Sequence, residues 1–385
     1  MNRDRLISRL AALDWDFAGA RSESLFSALH WHPCRFVSQI PAALIGVLSS
    51  PGDTVLDPFL GSGTTGVEAQ RLGRRFIGIE LNPTSYLISK AKMLRISAQG
   101  VVRQTDLLKE RAHRVIGGLI NDDSIDLRMS PSTVQFKKWY TNEVAHCLAR
   151  LWRDISQLRG STYTLAVLAF SSILIKVCRE TRHWGYICDN THPKGAHGGD
   201  VLAEYIHTLE QLVSAYRERE LHLKDLQVSA HAARVICGDT RVEVTKLESE
   251  SVDLVVTSPP YFGVTDYAKS QRLTAEWLET DIETVRLAEI GARSKRHRRS
   301  AYDEYMNEMI AIFRELARVL KTKGYCSMVL GESVARANYI DEFASMLSEL
   351  GLELVYDFGR QISAQRRQAP SLLHERLLVF RKRLV

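Results

Sequence analysis

Two stretches of the chain alternate short apolar runs with helical periodicity, and the first of them lies in the N-terminal quarter. Residues 54–56 (TVL) form a short apolar run that ends at Asp57, and residues 75–80 (RFIGIE) form the next run. Apolar positions at helical spacing follow each run, over residues 65–72 and 85–94. Strands that alternate with helices in this way predict a parallel sheet covered on both faces.

The second stretch starts near Ala233 and continues almost to the end of the chain. A long helix predicted over residues 302–320 separates its two early strands from three later ones. The last two strands predict an antiparallel hairpin at the edge of the sheet. Both stretches together predict an α/β fold with a Rossmann-like sheet of about seven strands. The strands of the second stretch are predicted over residues 234–239, 253–257, 325–333, 352–358 and 377–382.

A mainly helical segment, residues 97–229, separates the two stretches. Helical periodicity is present over residues 141–158, 162–177 and 200–226. The segment therefore predicts an insertion between the second and third strands of a discontinuous α/β domain, which consists of residues 1–96 and 230–385. Because of its position and size, we expect the insertion to be the region that recognises the molecule bound by this domain.

Composition and charge are those of an ordinary globular protein of 385 residues, with a formal net charge of +6. This mild basic excess suits a polyanionic partner. The six cysteines form no CxxC pair, so a reducing cytoplasm is expected. The most apolar stretch, residues 163–177, is too short to span a bilayer, and no membrane association is predicted.

The first chemical motif is a glycine turn between a strand and a helix, residues 57–65 (DPFLGSGTT). Gly61 and Gly63 allow close approach of a ligand to the backbone, and the helix N-terminus offers N–H groups to an anion. Such a turn binds either a dinucleotide or the methionine end of S-adenosylmethionine. Glu80 ends the next strand, where a carboxylate can accept hydrogen bonds from both ribose hydroxyls. Together the two features indicate a cofactor that contains adenosine.

The second motif, residues 257–261 (TSPPY), directly follows an apolar strand. Its two prolines stiffen the chain, so the neighbouring carbonyls point in fixed directions. The Ser258 side chain and the Pro259 carbonyl can then accept hydrogen bonds from an exocyclic amino group. Tyr261 supplies an aromatic face for a base flipped out of a duplex.

With both motifs at strand ends, the chain resembles the amino-methyltransferase group of DNA methyltransferases. The resemblance covers residues 30–96 and 233–383, and it implies a methyltransferase sheet with S-adenosylmethionine as cofactor and double-stranded DNA as substrate. Residues 32–41 resemble the motif that lines the methionine pocket, and Asp239 is expected to face the cofactor adenine. Residues 266–267 and 272–277 resemble a stretch that often follows the second motif, and they are expected to shape the base pocket or cover the cofactor.

The resemblance also implies which residues do the chemistry. The implied catalytic residues are Ser258, Pro259, Pro260 and Tyr261. The implied cofactor-binding residues are Pro33, Phe36, Asp57, Pro58, Phe59, Gly61, Ser62, Gly63, Thr64, Thr65, Glu80 and Asp239.

The motifs leave several alternatives open. Serine before the prolines favours cytosine N4 as the target, whereas adenine N6, a base in RNA, or an inactive nucleic-acid-binding protein on the same scaffold are the alternatives. The basic run at residues 293–299 (RSKRHRR) is either a phosphate-binding segment or a solvated loop. The spacing of Cys178, His183, Cys188 and His192 matches no familiar zinc motif, and no metal is expected. The resemblance also raises the hypothesis of a partner restriction endonuclease, while the oligomeric state stays open.

Overall fold

The computed structural model describes residues 3–17, 25–30, 32, 37–117, 131, 138–179, 193, 198–229, 231–333, 339–360 and 372–383. The sheet in these ranges consists of β1 (Thr54–Asp57), β2 (Arg75–Glu80), β3 (Ala233–Cys237), β4 (Val252–Thr257), β5 (Leu320–Ser333), β6 (Leu352–Arg360) and β7 (Leu372–Lys382). The strand order is β3-β2-β1-β4-β5-β7-β6. The first five strands of this order run parallel, and β7 runs antiparallel to both of its neighbours. The predicted α/β fold with a seven-stranded sheet is confirmed.

The C-terminal hairpin has an order that the sequence pattern left open: β7 lies inside the sheet and β6 forms the edge. Residues 377–380 of β7 are all fully buried, whereas burial along β6 alternates with exposure. An apolar run buried on both faces suits an interior strand, and an alternating one suits an edge. The apolar run therefore explains why β7 pairs with β5 and separates it from β6.

Helices cover both faces of the sheet. In chain order they are α1 (Arg3–Ala11), α2 (Leu25–Ala28), α3 (Gln39–Leu48), α4 (Thr64–Arg71), α5 (Pro83–Lys92), α6 (Ala98–Gly117), α7 (Asn142–Ser156), α8 (Gly160–Ile173), α9 (Val201–Asp225), α10 (Thr240–Glu243), α11 (Tyr267–Ser270), α12 (Arg272–Trp277), α13 (Ile282–Ala288), α14 (Ala301–Val319) and α15 (Tyr339–Glu349). No described helix is both long enough and apolar enough to cross a membrane.

The two faces of the sheet bury separate apolar cores because successive side chains of a strand point to opposite sides. Val55 of β1 and Leu254 of β4 belong to the core that includes α3, α4, α5 and the inserted helices. Leu56 and Val255, one position further along the same strands, belong to the core under α14 and α15. Burial on both faces explains why β1 and β4 are short continuous apolar runs.

The described part of the segment between β2 and β3 contains α6, α7, α8 and α9, so the helical insertion is present where it was predicted. Its helix α6 is an addition to the three stretches that the periodicity indicated. Tyr216 of α9 donates a hydrogen bond to the Ala91 carbonyl at 2.6 Å, and Arg219 donates to the Leu94 carbonyl at 3.0 Å. These contacts hold the insertion against α5. The division of the chain into a catalytic unit and an insertion unit stays a prediction.

The strand order reverses between β1 and β4, which lie side by side although residues 58–251 separate them in sequence. In open parallel sheets, ligands bind at the carboxyl ends of the strands at such a switch point. Both motifs predicted from the sequence follow these two strands, and the fold therefore brings them to the same edge.

Candidate active site

Asp57, the last residue of β1, joins the two motifs directly. Its Oδ1 accepts a hydrogen bond from the Thr257 hydroxyl at 2.7 Å, and Thr257 is the last residue of β4. The same oxygen accepts from the Phe59 backbone N–H at 3.1 Å, which shapes the start of the glycine turn. Burial raises the pKa of Asp57 to about 6. Asp57 thus connects the ends of two parallel strands in the interior of the protein.

The glycine turn requires glycine at Gly63, where φ is +88° and α4 begins at the next residue. A Cβ atom at this position would lie 2.9 Å from the Ser89 Cβ of α5. Gly61 also has a positive φ, and its N–H donates to Glu80 Oε2 at 2.7 Å. The turn is therefore fixed both by the close approach of α5 and by the carboxylate at the end of β2.

Glu80 accepts one backbone hydrogen bond on each oxygen, from Gly61 and from Asn82, both at 2.7 Å. Each carboxylate oxygen has a second lone pair, so both can accept a further bond from a ligand. Burial raises the pKa of Glu80 to about 7, and the nearby charge of Asp57 adds to the effect. The carboxylate is positioned by the backbone, and no described cation forms an ion pair with it.

Ser258 and Tyr261 follow β4 on the other side of the switch point. The Ser258 hydroxyl donates to the Tyr261 hydroxyl at 3.4 Å, and Tyr261 donates to Glu375 Oε1 at 3.1 Å. Glu375 lies on β7, and its other oxygen pairs with the Arg360 guanidinium of β6. Arg360 in turn donates to the Trp15 carbonyl at 2.7 Å. A continuous chain of polar contacts therefore connects the TSPPY loop to the C-terminal hairpin and the N-terminal segment.

The prolines of this loop are also held by α14. Tyr305 of that helix donates a hydrogen bond from its hydroxyl to the Pro260 carbonyl at 3.0 Å. The Pro260 carbonyl therefore already has a partner within the protein, whereas the Pro259 carbonyl is the one predicted to bind a ligand. The Tyr305 bond restricts the path of the loop beyond Pro260.

Asp239 has a different environment from the other predicted cofactor residues. It caps α10, where Oδ1 accepts from the Arg241 N–H at 2.9 Å. The Arg241 guanidinium contacts both carboxylate oxygens and also pairs with Glu308 of α14. Asp239 lines the cavity at the switch point, but its charge is already matched within the protein.

A single cavity collects most of the predicted residues. Of the predicted set, it is lined by Asp57, Pro58, Phe59, Gly61, Ser62, Thr64, Thr65, Glu80, Asp239, Ser258, Pro260 and Tyr261. Gly63 and Pro259 do not line it, although they belong to the same two turns. Pro33 and Phe36 lie outside the described residues, although the neighbouring His32 lines the cavity. The structure thus brings together the glycine turn, the end of β2 and the TSPPY loop.

The segment after the TSPPY loop supplies one wall of the cavity. Tyr267, which was expected to shape the base pocket or cover the cofactor, is among the lining residues, whereas the stretch 272–277 forms α12 and contributes none. Leu60 of the glycine turn also lines the cavity. The other lining residues carry no motif that could have marked them in the sequence, and they are Ile79, Leu81, Asn82, Ser85, Thr240, Val285, Ala288, Glu289 and Ile290.

The zinc ligands that were considered fall mostly outside the described residues. Of the four, only Cys178 is described, and its thiol donates to the Ile175 carbonyl at 3.0 Å. The described residues contain no group of three or more side chains that could hold a metal ion.

The run 293–299 lies beside the TSPPY loop. Arg293 donates its backbone N–H to the Thr265 carbonyl at 3.2 Å, and Gly263 donates to the Gly291 carbonyl at 2.8 Å. The side chains of Arg293, Arg296, Arg298 and Arg299 are exposed. The exposed positive charges therefore lie at the same side of the molecule as the cavity.

Residues 13–91 match the model of the N6/N4 methyltransferase family, which is described as DNA methylase. This stretch of the chain is therefore similar to that family. The matched residues include β1, the glycine turn and β2, which line one side of the cavity described above. The resemblance to the amino-methyltransferase group is confirmed.

Related proteins match longer stretches of the chain at low identity. The chain is 24% identical over 258 residues to the Type II methyltransferase M.BsoBI of Geobacillus stearothermophilus, a match that covers 62% of this chain and 49% of that protein. It is 24% identical over 282 residues to the Type II methyltransferase M.MvaI of Kocuria varians, with 69% of this chain and 60% of that protein covered. The chain therefore spans about half to three fifths of these relatives. Among solved structures, an rRNA methyltransferase, aviRa from Streptomyces viridochromogenes, aligns over 97% of this chain and 95% of its own at 10% identity, with a TM-score of 0.41.

Proposed function

We infer that this protein is an S-adenosylmethionine-dependent DNA methyltransferase that methylates an exocyclic amino group of a base. The single observation that carries the proposal is the hydrogen bond from Thr257 to Asp57. It holds the TSPPY loop against the glycine turn, so that a cofactor bound at the turn faces a base bound at the loop. The match to the DNA methylase family supports the same activity.

The residues at the glycine turn fit S-adenosylmethionine. Glu80 keeps acceptor capacity on both oxygens for the two ribose hydroxyls, and the backbone N–H groups at the start of α4 suit the methionine carboxylate. We assign the predicted cofactor-binding residues Pro33 and Phe36 to the methionine pocket as part of this proposal. The cofactor, when bound, supplies a methyl group that its sulfonium already activates for transfer.

The TSPPY loop is proposed to hold the target amino group. Ser258 accepts one N–H of the group through its hydroxyl oxygen and the Pro259 carbonyl accepts the other, which leaves the nitrogen lone pair facing the cofactor. The Tyr261 hydroxyl is bound to Glu375 and the residue lines the cavity, so its ring is proposed to stack on the base. Because positioning is the main task, no nucleophilic cysteine is needed.

We propose cytosine N4 as the target position, since serine precedes the two prolines. Adenine N6 is the alternative inside the same reaction class. The insertion, residues 97–229, is proposed to recognise the DNA sequence. The exposed arginines of residues 293–299 are proposed to contact DNA phosphates next to the cavity.

The decisive experiment incubates the purified protein with methyl-labelled S-adenosylmethionine and either unmethylated genomic DNA or total RNA. The nucleic acid is then digested and the labelled nucleoside identified. Label in N4-methylcytosine supports the full proposal, and label in N6-methyladenine corrects the base. Label only in RNA, or in neither nucleic acid, rejects a DNA methyltransferase.

Ser258→Ala is the matched control for this assay. Removing the hydroxyl acceptor should lower the rate of methyl transfer by about 100-fold, in line with the loss of one polar group that stabilises a transition state. Binding of S-adenosylmethionine, measured by calorimetry, should be unchanged because Glu80 and the glycine turn remain. Equal losses of binding and rate would show that Ser258 supports the cavity as a whole.

A restriction–modification role is proposed from the Type II relatives. DNA modified by this protein would then resist one restriction endonuclease of matching sequence specificity. Sequencing the modified sites and challenging the DNA with nucleases of that specificity tests the idea, and modification at scattered, non-recurring sites would reject it.

A further inference from the structure

Glu289 directly follows α13 and lies on the wall of the same cavity as Glu80. The residue is 6% exposed. Its Oε1 accepts a hydrogen bond from the Ala268 backbone N–H at the start of α11. Its Oε2 is buried and has no hydrogen-bond partner among the described residues. A buried carboxylate oxygen without a partner costs free energy, and such atoms at a cavity wall are candidates for binding a ligand.

The charged groups around Glu289 do not neutralise it. Asp266 and Glu80 face it and raise its pKa further, after burial, which is the main cause of a pKa of about 8. Lys295 lies close, but its ammonium donates to the carbonyls of Leu287 and Glu289 at 2.6 Å each. Arg286 of α13 pairs with Glu283 instead. Glu80 and Glu289 thus line the same cavity, and no described cation is bound to either carboxylate.

Asp239 and Glu289 differ in the partners of their carboxylate oxygens. Asp239 was expected to face the cofactor, yet both of its oxygens are bound by Arg241. A carboxylate in such a pair has little capacity left for a ligand. Glu289, which no motif marks, has a carboxylate oxygen that is both unpartnered among the described residues and at the cavity wall.

We propose that Glu289 is a further cofactor-binding residue, whose Oε2 accepts a hydrogen bond from a donor group of S-adenosylmethionine. The inference rests on the proposed function. Its carboxylate also selects for charge: S-adenosylmethionine carries one positive charge more than the demethylated product, S-adenosylhomocysteine. Glu289 therefore favours the substrate cofactor over the product, and loss of the sulfonium charge on transfer weakens product binding.

The test is titration calorimetry of both compounds against the wild-type protein, Glu289→Gln and Glu283→Gln. Glutamine keeps the bond to Ala268 and the side-chain shape, so folding is expected to be retained. We expect Glu289→Gln to lower the affinity for S-adenosylmethionine by about tenfold or more and the affinity for S-adenosylhomocysteine by less than about threefold. Glu283, an exposed residue at the start of α13, is the matched control and should change neither affinity.

A second readout distinguishes charge from shape. The wild-type protein should release protons when it binds S-adenosylmethionine at pH 7, seen as a dependence of the binding heat on the ionisation heat of the buffer. Glu289→Gln should release fewer. Equal weakening of both compounds with unchanged proton release would overturn the charge selection and leave only a hydrogen bond to a donor group that both compounds carry. Unchanged affinity for both compounds would overturn the proposal as a whole. Wild-type protein that binds neither compound is a separate result, which rejects the proposed function and this inference with it.

Discussion

The buried carboxylates near the two ends of the cavity differ in whether a guanidinium group neutralises them. At the cofactor end, the buried Asp57, Glu80 and Glu289 accept hydrogen bonds only from neutral donors of the described residues, and only the more exposed Asp239 is paired with an arginine. At the base end, Glu375 does not line the cavity itself but accepts a hydrogen bond from the lining residue Tyr261, and it is paired with the Arg360 guanidinium. An end with unneutralised carboxylates is suited to a cation, and an end with an internal ion pair is suited to a neutral base. The charge balance of each end thus matches the ligand proposed for it.

The greatest loss of stability is expected when the ion pair at the base end is broken. Glu375→Gln leaves the Arg360 charge buried without a counterion, and we expect the free energy of unfolding to fall by about 3–5 kcal/mol. Asp357→Asn in the same hairpin is the control, because its pair with Arg376 is more exposed and should cost only about 0–1 kcal/mol. Urea denaturation measures both. Equal losses of unfolding free energy in the two variants would mean that any substitution in the hairpin is destabilising, and that the buried pair has no special role.

The glycine turn at the cofactor end gives the next effect. Gly63→Ala adds a Cβ atom 2.9 Å from the Ser89 Cβ in a left-handed conformation, whereas Gly52→Ala has the same φ of +88° in open space. The left-handed backbone alone costs about 1–2 kcal/mol, and the close approach should add about 1–3 kcal/mol at Gly63. Thermal unfolding and S-adenosylmethionine titration measure the difference. Cofactor affinity that falls equally in both variants would contradict a specific role of the turn.

The pH dependence of stability tests the carboxylates of the cofactor end as a group. Burial raises the pKa values of Asp57, Glu80 and Glu289 to about 6, 7 and 8. The contribution of these side chains to the free energy of unfolding is therefore complete below about pH 4 and is lost as the pH rises through about 6–8. The melting temperature of the ligand-free protein should therefore fall between pH 5 and pH 8.5. The double variant Glu80→Gln with Glu289→Gln should flatten this slope. A slope that is identical in the variant would assign it to other groups.

The weakest effect concerns DNA binding outside the cavity. The double variant Arg296→Ala with Arg299→Ala should weaken binding to duplex DNA. It should also reduce the slope of log affinity against log salt concentration by about one unit for each phosphate that is no longer neutralised. Lys246→Ala with Lys323→Ala removes equal charge near the amino ends of the parallel strands, and should leave the slope unchanged. Fluorescence anisotropy at several salt concentrations measures both. Indistinguishable slopes would make the basic run a solvated loop.

Predictions from the sequence were most accurate for strands and helices, which depend on contiguous residues. The runs at β1, β2 and β4 alternate with turns and helices over short distances, and their order alone indicates a parallel sheet. Helix bounds were close for the same reason: helical periodicity over residues 200–226 corresponds to Val201–Asp225. Helix α6, residues 98–117, was not predicted, although its buried positions 101, 105, 108, 112 and 116 have helical spacing.

Local sequence was sufficient to predict the strand-forming runs and the helical character of the segment between β2 and β3, because periodicity encodes both. It was also sufficient to predict the two glycines of the turn and the position of TSPPY at a strand end, because backbone preference encodes these features. Which carboxylates are neutralised is instead a result of tertiary packing. Arg241 binds Asp239, Arg360 binds Glu375, and Glu289 meets Glu80 across a cavity. Glu80 and Glu289 are far apart in sequence, so their proximity depends on strand order and helix packing, which no short stretch of sequence specifies.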